Sequence, residues 1–63
     1  MTHNIAAARA ALERALDGLA VADRAGEGMQ RLRSLSAALD RVQEARRALQ
    51  HEIRDALARE PAY

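Results

Sequence analysis

Large apolar residues recur along the second half of the chain in alternating steps of three and four residues. Seven of the eight positions in this pattern are apolar, and the residues between them are mostly Arg, Asp, Glu, Gln, Ser and Ala. Such spacing is typical of the a and d positions of heptads in a long amphipathic helix. The pattern therefore predicts a helix with a stripe formed by Leu32, Leu35, Leu39, Val42, Arg46, Leu49, Ile53 and Ala56.

The first half of the chain carries a second stripe, in which large apolar residues alternate with alanine. Its members are Ile5, Ala8, Leu12, Ala15, Leu19 and Ala22, and Leu16 widens it on one side. Gly18 lies inside this pattern and costs about 1 kcal/mol relative to alanine in a helix. Either the helix ends at Asp17, or it continues and another backbone packs closely against Gly18. Because Leu19 and Ala22 keep the register, the pattern favours continuation.

Glycine and proline mark the boundaries of the two predicted helices. The run Gly26-Glu27-Gly28 favours a sharp reversal, and Pro61 cannot continue a helix. Asn4 (or Thr2) is a suitable N-cap for the first helix. We predict helix one over about 5–25, a turn at 26–28, helix two over about 29–59 and a tail at 60–63. Ser34 and Ser36 offer a weaker, later start for helix two.

A short turn between two amphipathic helices predicts an antiparallel helical hairpin. The fold class is therefore all-α, a single domain over 1–63, with Leu19 and Ala22 level with Leu32 and Leu35. We expect two hairpins to dimerise into a four-helix bundle with coiled-coil-like heptad packing. The core of the hairpin or dimer is predicted to contain Ile5, Leu12, Leu16, Leu19, Leu32, Leu35, Leu39 and Val42.

The length of the chain makes self-association the expected source of stability. It has 63 residues and no cysteine, and scaffolds of this size usually need disulfides, a metal or oligomerisation. Helix two is also predicted to be longer than helix one, which leaves its C-terminal apolar residues without cover from their own chain. We therefore predict a partner-binding surface at Arg46, Leu49, Ile53, Arg54 and Leu57.

Arg46 is the one charged residue in the stripe of helix two, and two interpretations stay open. It could fix register or partner choice by pairing with a carboxylate of another subunit, such as Glu13 or Asp17. Alternatively its side chain reaches the edge of the interface, and Ala45 takes its place there.

The charges are balanced, which gives little attraction to nucleic acid or to anionic membranes. Ten arginines and no lysines stand against nine acidic residues, for a net charge of +1. A dimeric nucleic-acid-binding regulator remains the alternative function, although Tyr63 is the only aromatic residue available for stacking on bases. Its phosphate contacts would come from Arg31, Arg33, Arg41 and Arg47, which do not form a single stripe.

No motif indicates catalysis, a cofactor or a metal. Asp40, Glu44, His51 and Asp55 share a polar stripe, but no glutamate precedes a histidine by three residues, as di-iron bundles require. In the zinc-protease pattern His-Glu-x-x-His, Asp55 stands where the second histidine belongs. We expect this stripe to be a solvated surface.

The expected function is a non-enzymatic, self-associating protein–protein interaction module, such as a small regulator or accessory subunit. A scaffolding role without a dedicated site would use the same apolar stripe and is not separated from it by the sequence. No apolar run is long enough to span a membrane, and the amino terminus does not resemble a secretory signal. We therefore expect a cytoplasmic protein that binds itself and, through helix two, another protein.

Overall fold

A computed structural model describes residues 3–60 and contains two helices in that part of the chain. Helix α1 spans His3–Ala25 and helix α2 spans Met29–Arg59. The helices pack against each other along an elongated body of 52 × 17 × 13 Å. The predicted all-helical hairpin is confirmed, and α2 runs without a break through Ser34 and Ser36.

Two glycines with positive φ make the reversal between the helices. Gly26 has φ 73° and Gly28 has φ 117°, a region that side-chain-bearing residues rarely adopt. The first turn of α2 then closes with a hydrogen bond from the Leu32 amide to the Gly28 carbonyl, at 3.1 Å. At the other end the Glu60 amide donates to the Leu57 carbonyl, at 3.2 Å. Pro61, predicted to end the helix, lies outside the described residues.

The predicted N-cap role of Asn4 is wrong, because α1 already begins at His3. The side-chain amide of Asn4 instead donates across the hairpin, to Glu52 Oε1 at 3.4 Å and to Asp55 Oδ2 at 3.3 Å. Thr2, the other N-cap candidate, lies outside the described residues. The polar contacts of Asn4 connect the first turn of α1 to the last third of α2.

Small residues form the interface between the helices. The buried residues of the described chain are all alanines: Ala8, Ala11, Ala15, Ala22, Ala38 and Ala45. Ala48 is partly buried against the cluster of Ala8, Ala11 and Ala45. Within each helix these positions are separated by multiples of three- and four-residue steps, as expected for a seam between two helices. We call these residues, together with Gly18, the alanine seam.

Gly18 allows the closest approach in this seam. Helix α1 continues through it, and a Cβ atom placed there would lie 3.3 Å from the Cβ of Ala38 and 3.7 Å from its Cα. It would also lie 3.5 Å from the carbonyl oxygen of Ser34. The prediction that the helix continues because another backbone packs near Gly18 is confirmed.

The register differs from the predicted one by about one helical turn. Gly18 lies against Ala38, and Asn4 contacts Glu52, so residue i of α1 is level with residue 56 − i of α2, whereas a turn near Gly26 predicts 53 − i. Ala22 is consequently level with Ser34 rather than with a residue near Leu32. The reversal is centred on Gly28 rather than on Gly26, which moves α2 relative to α1. Helix α1 therefore extends to the level of Ile53, and the part of α2 without a neighbour is shorter than predicted.

Replacing Gly18 with a large residue should separate the helices. In Gly18→Leu the added side chain meets the Ala38 backbone, so we expect a loss of about 2 kcal/mol of unfolding free energy. Gly18→Ala should change stability much less, since a gain in helix propensity of about 1 kcal/mol opposes a small shift of Ala38. Urea unfolding followed by circular dichroism at one fixed protein concentration measures both. Ala20→Leu, at an exposed position, is the control; equal stability of the two leucine variants would contradict close packing at Gly18.

Candidate functional site: an uncovered aliphatic face

The eight residues predicted for the hairpin or dimer core are exposed in the single hairpin. Their exposed fractions range from 38% at Leu35 to 65% at Leu16. They are therefore not part of the alanine seam, and the idea that they form the hairpin's own core is wrong. The physical reason is the close approach of the helices, which leaves room between them only for alanine and glycine. Whether these residues form the core of a dimer stays a prediction.

The large residues follow the seam by one position. In α1, Leu12, Leu16 and Leu19 come directly after Ala11, Ala15 and Gly18. In α2, Leu39 and Leu49 come directly after Ala38 and Ala48 in the same way. One residue rotates the side-chain direction by about 100° around a helix axis. Each helix therefore presents its large side chains along a strip beside the seam.

The two strips lie on the same side of the hairpin. In each helix, the residue that follows a seam position points about 100° away from the other helix. Because the two helices are right-handed and antiparallel, these residues point to the same side of the plane that contains both helix axes. The hairpin consequently has one continuous surface of large side chains, which we call the aliphatic face. It comprises Ile5, Leu12, Leu16, Leu19, Leu32, Leu35, Leu39, Val42, Leu49, Ile53 and Leu57, all at least 38% exposed.

The opposite side of the hairpin is polar or small. It is formed by the positions that directly precede the seam and by those in line with them along each helix, and only Val21 among them is a large aliphatic residue. Its other members include His3, Ala7, Ala10, Arg14, Asp17, Arg33, Ala37, Asp40, Glu44, Arg47, His51 and Asp55. The hairpin is thus amphipathic as a whole, with eleven of its thirteen exposed large hydrophobic residues on one face.

The predicted partner-binding residues occupy the C-terminal part of this face, with one exception. Arg46, Leu49, Ile53 and Leu57 lie in the strip of α2, whereas Arg54 lies on its outer edge. Ile53, Leu57, Arg54 and Gln50 line an open depression on the surface of α2. Ala45 is buried in the seam with only 2% of its surface exposed. Ala45 therefore lies at the contact between α1 and α2, and the role of Arg46 at an interface between subunits stays a prediction.

Two of the ion pairs in the described chain are exposed on both sides and contribute little stability, whereas in a third, between Arg59 and Glu52 at 3.4 Å, the Glu52 side chain is only 18% exposed. Arg41 contacts Glu44 at 3.1 Å, three residues away on the same helix. Arg9 contacts Glu13 at 3.7 Å, with both side chains 68% exposed. Solvent-exposed pairs of this kind typically add between 0.2 and about 1 kcal/mol. The fold therefore does not depend on them.

The arginines considered for phosphate binding do not form a cluster. Arg33 and Arg47 lie on the polar face among Asp40, Glu44 and Asp55, which reduces the local positive charge. Arg41 is paired with Glu44, and Arg31 lies in the first turns of α2. Two of the four thus share the polar face with several carboxylates, and the structure does not bring all four onto one surface.

The described residues contain no group of three or more His, Cys, Asp or Glu side chains arranged to hold a metal ion. In the same residues no polar or charged side chain is buried. Between residues 3 and 60, neither helix is both long and apolar enough to cross a lipid bilayer.

Comparison of the chain with models of protein families, with curated protein sequences and with solved structures finds no match. Functional inference therefore depends on the geometry, and the aliphatic face is its most distinctive feature.

Proposed function

We propose that this chain is a non-enzymatic, self-associating protein–protein interaction module, such as a small regulator or an accessory subunit. Its aliphatic face packs against that of a second copy, and the two hairpins form a four-helix bundle. The observation that carries this proposal is the concentration of eleven exposed large aliphatic side chains on one side of a hairpin whose own interface is made of alanine.

The surface area of the chain supports a second copy as the occupant of this face. A compact monomer of 6.9 kDa exposes about 4,000 Å², whereas this chain exposes 5070 Å². The excess of about 1,000 Å² is of the size that each partner buries in a standard protein–protein interface, about 800 Å². A contiguous surface of eleven exposed large aliphatic side chains is unusual for a monomer and marks an interaction surface.

The weakness of the alanine seam is a second argument for association. Burying alanines removes little apolar surface from water, since the hydrophobic contribution is about 25 cal/mol per Å². In the described residues no large side chain is buried to supplement it. A hairpin of this size needs a further source of stability, and two facing aliphatic faces would supply a core of Leu, Ile and Val.

Introducing negative charge on the aliphatic face should abolish self-association. In Ile53→Asp combined with Leu57→Asp, two large side chains that are 60% and 48% exposed in the hairpin become charged groups that a bundle would have to bury. Each buried aliphatic side chain contributes about 1.5–3 kcal/mol, so we expect the dimer dissociation constant to rise at least a hundredfold. Sedimentation equilibrium over a wide concentration range, with helicity measured in parallel, gives the result.

The matched control is Val21→Asp combined with Met29→Asp. It introduces the same charge at exposed large hydrophobic residues that lie outside the aliphatic face, and it should leave the dissociation constant nearly unchanged. Equal dimerisation of both double variants would refute the proposal. An unmodified chain that stays a helical monomer at all concentrations would also refute it, and would indicate that the aliphatic face binds a different protein. Nucleic-acid binding that weakens steeply with salt would instead favour the phosphate-binding alternative.

Removing the charge from the aliphatic face should strengthen association. Arg46 is flanked there by Val42, Leu49 and other aliphatic side chains, and a guanidinium must keep contact with water or with an anion. We expect Arg46→Leu to lower the dimer dissociation constant about tenfold or more, because two copies of the site gain apolar contact. Arg47→Leu makes the same change on the polar face and should not tighten the dimer. If both variants behaved alike, Arg46 would not lie in the interface.

A further inference from the structure

We infer that the two copies pack with their turns at opposite ends of the bundle, so that α2 lies against the partner's α2 and α1 against the partner's α1. This inference rests on the proposed self-association and specifies its geometry. It follows from the register of the hairpin and from the symmetry of the residues on the aliphatic face, and it determines which side chains meet.

The apolar positions of α2 are symmetric about Glu44. Leu35 and Ile53 are equally far from it, as are Leu39 and Leu49, and so are Val42 and Arg46. Two copies of α2 placed antiparallel with their Glu44 positions level would therefore put Leu35 opposite the partner's Ile53. Leu39 would lie opposite the partner's Leu49, and only the pair of Val42 with the partner's Arg46 would be mixed.

In the strip of α1, Ile5 and Leu19 are equally far from Leu12, whereas Leu16 has the smaller Ala8 at its mirror position. Leu12 and Glu44 are level within one hairpin. Asn4 contacts Glu52, and counting eight residues inward from each gives Leu12 and Glu44. One two-fold axis at this level consequently matches both helices. It puts Ile5 opposite the partner's Leu19 and Leu12 opposite the partner's Leu12.

The same axis covers the end of α2 that its own chain leaves open. Leu57 lies beyond the level of His3, the first described residue of α1. With the turns at opposite ends, the partner's Leu32, next to its turn, comes to this level. Two exposed leucines, 48% and 58% accessible in the single hairpin, then bury each other. Opposite charges also lie close together at the edge of this interface, because Arg9 comes within about one helical turn of the partner's Glu13.

The arrangement with both turns at the same end matches the faces less well. Each α2 would lie against the partner's α1, and Leu57 would have no neighbour among the described residues. The partner's Asp23 would lie between Leu32 and Leu35 on the apolar surface. Arg46 would lie beside the partner's Arg9, so that two cations would meet at the interface. These contacts expose apolar surface or enclose unpaired charge, which raises the free energy of that dimer.

A distance measurement between the two turns tests the orientation. The chain has no native cysteine, so Glu27→Cys introduces a single site for a spin label in the exposed turn. With turns at opposite ends each label lies 17 residues from the level of Glu44, so the two labels are separated by about 34 residues of helix, or about 51 Å at 1.5 Å per residue. With turns at the same end they lie within about 20 Å, the width of two helix layers. Pulsed electron–electron double resonance spectroscopy on the spin-labelled dimer distinguishes these two distances.

A long distance supports the inference. A short distance overturns the orientation and leaves the proposed dimer intact, whereas the absence of dipolar coupling in a sample that sediments as a monomer overturns both. Leu12→Cys provides an independent check, because position 12 lies on the predicted two-fold axis. The introduced cysteine should form a disulfide with the same cysteine of the partner on mild oxidation. Val21→Cys, on the polar face, is the control and should remain largely uncrosslinked. Equal crosslinking of the two cysteine variants would contradict the axis at Leu12.

Discussion

The close approach of two helix backbones at the alanine seam is the constraint on which the rest of this structure depends. Helices that meet through alanine and glycine lie near the lower end of the usual interaxial range of 8–10 Å. At Gly18 even one added Cβ atom would lie 3.3 Å from Ala38. Leucine side chains do not fit between backbones at this distance, so every large residue must lie beside the seam and not in it.

This exclusion gives the hairpin its two-sided character. Because the large residues follow the seam by one position in both helices, and because the helices are antiparallel, the excluded side chains collect on one side. The positions that precede the seam are polar or small and form the other side. The hairpin as a whole is therefore amphipathic because the large residues are offset from the seam by one position in the same direction in both helices. Had the large residues preceded the seam in one helix and followed it in the other, the apolar surface would have been divided between the faces.

The sequence predicted the elements well and their rotation poorly. Helix limits, the glycine turn and the continuation through Gly18 follow from local conformational preferences, which act over a few residues. The choice of seam does not, because the predicted stripe of α1 and the seam share Ala8, Ala15 and Ala22 and differ by one residue at the positions between them, where Ala11 and Gly18 replace Leu12 and Leu19. The expectation that the largest side chains face the nearest helix favoured Leu12 and Leu39. The more informative signal was the unbroken spacing of small residues at Ala8, Ala11, Ala15, Gly18 and Ala22.

The register between the two helices could not be predicted from the sequence either. It depends on where a three-residue turn is centred and on contacts such as that of Asn4 with Glu52. It nevertheless decides the functional argument. Only when Leu12 and Glu44 are level do the symmetries of both helices share one axis. If the face is covered by a second copy, the stability of the fold depends on protein concentration, because large side chains leave water only on association. Folding and self-recognition would then be one process, and the alanine seam would position the aliphatic face for the partner.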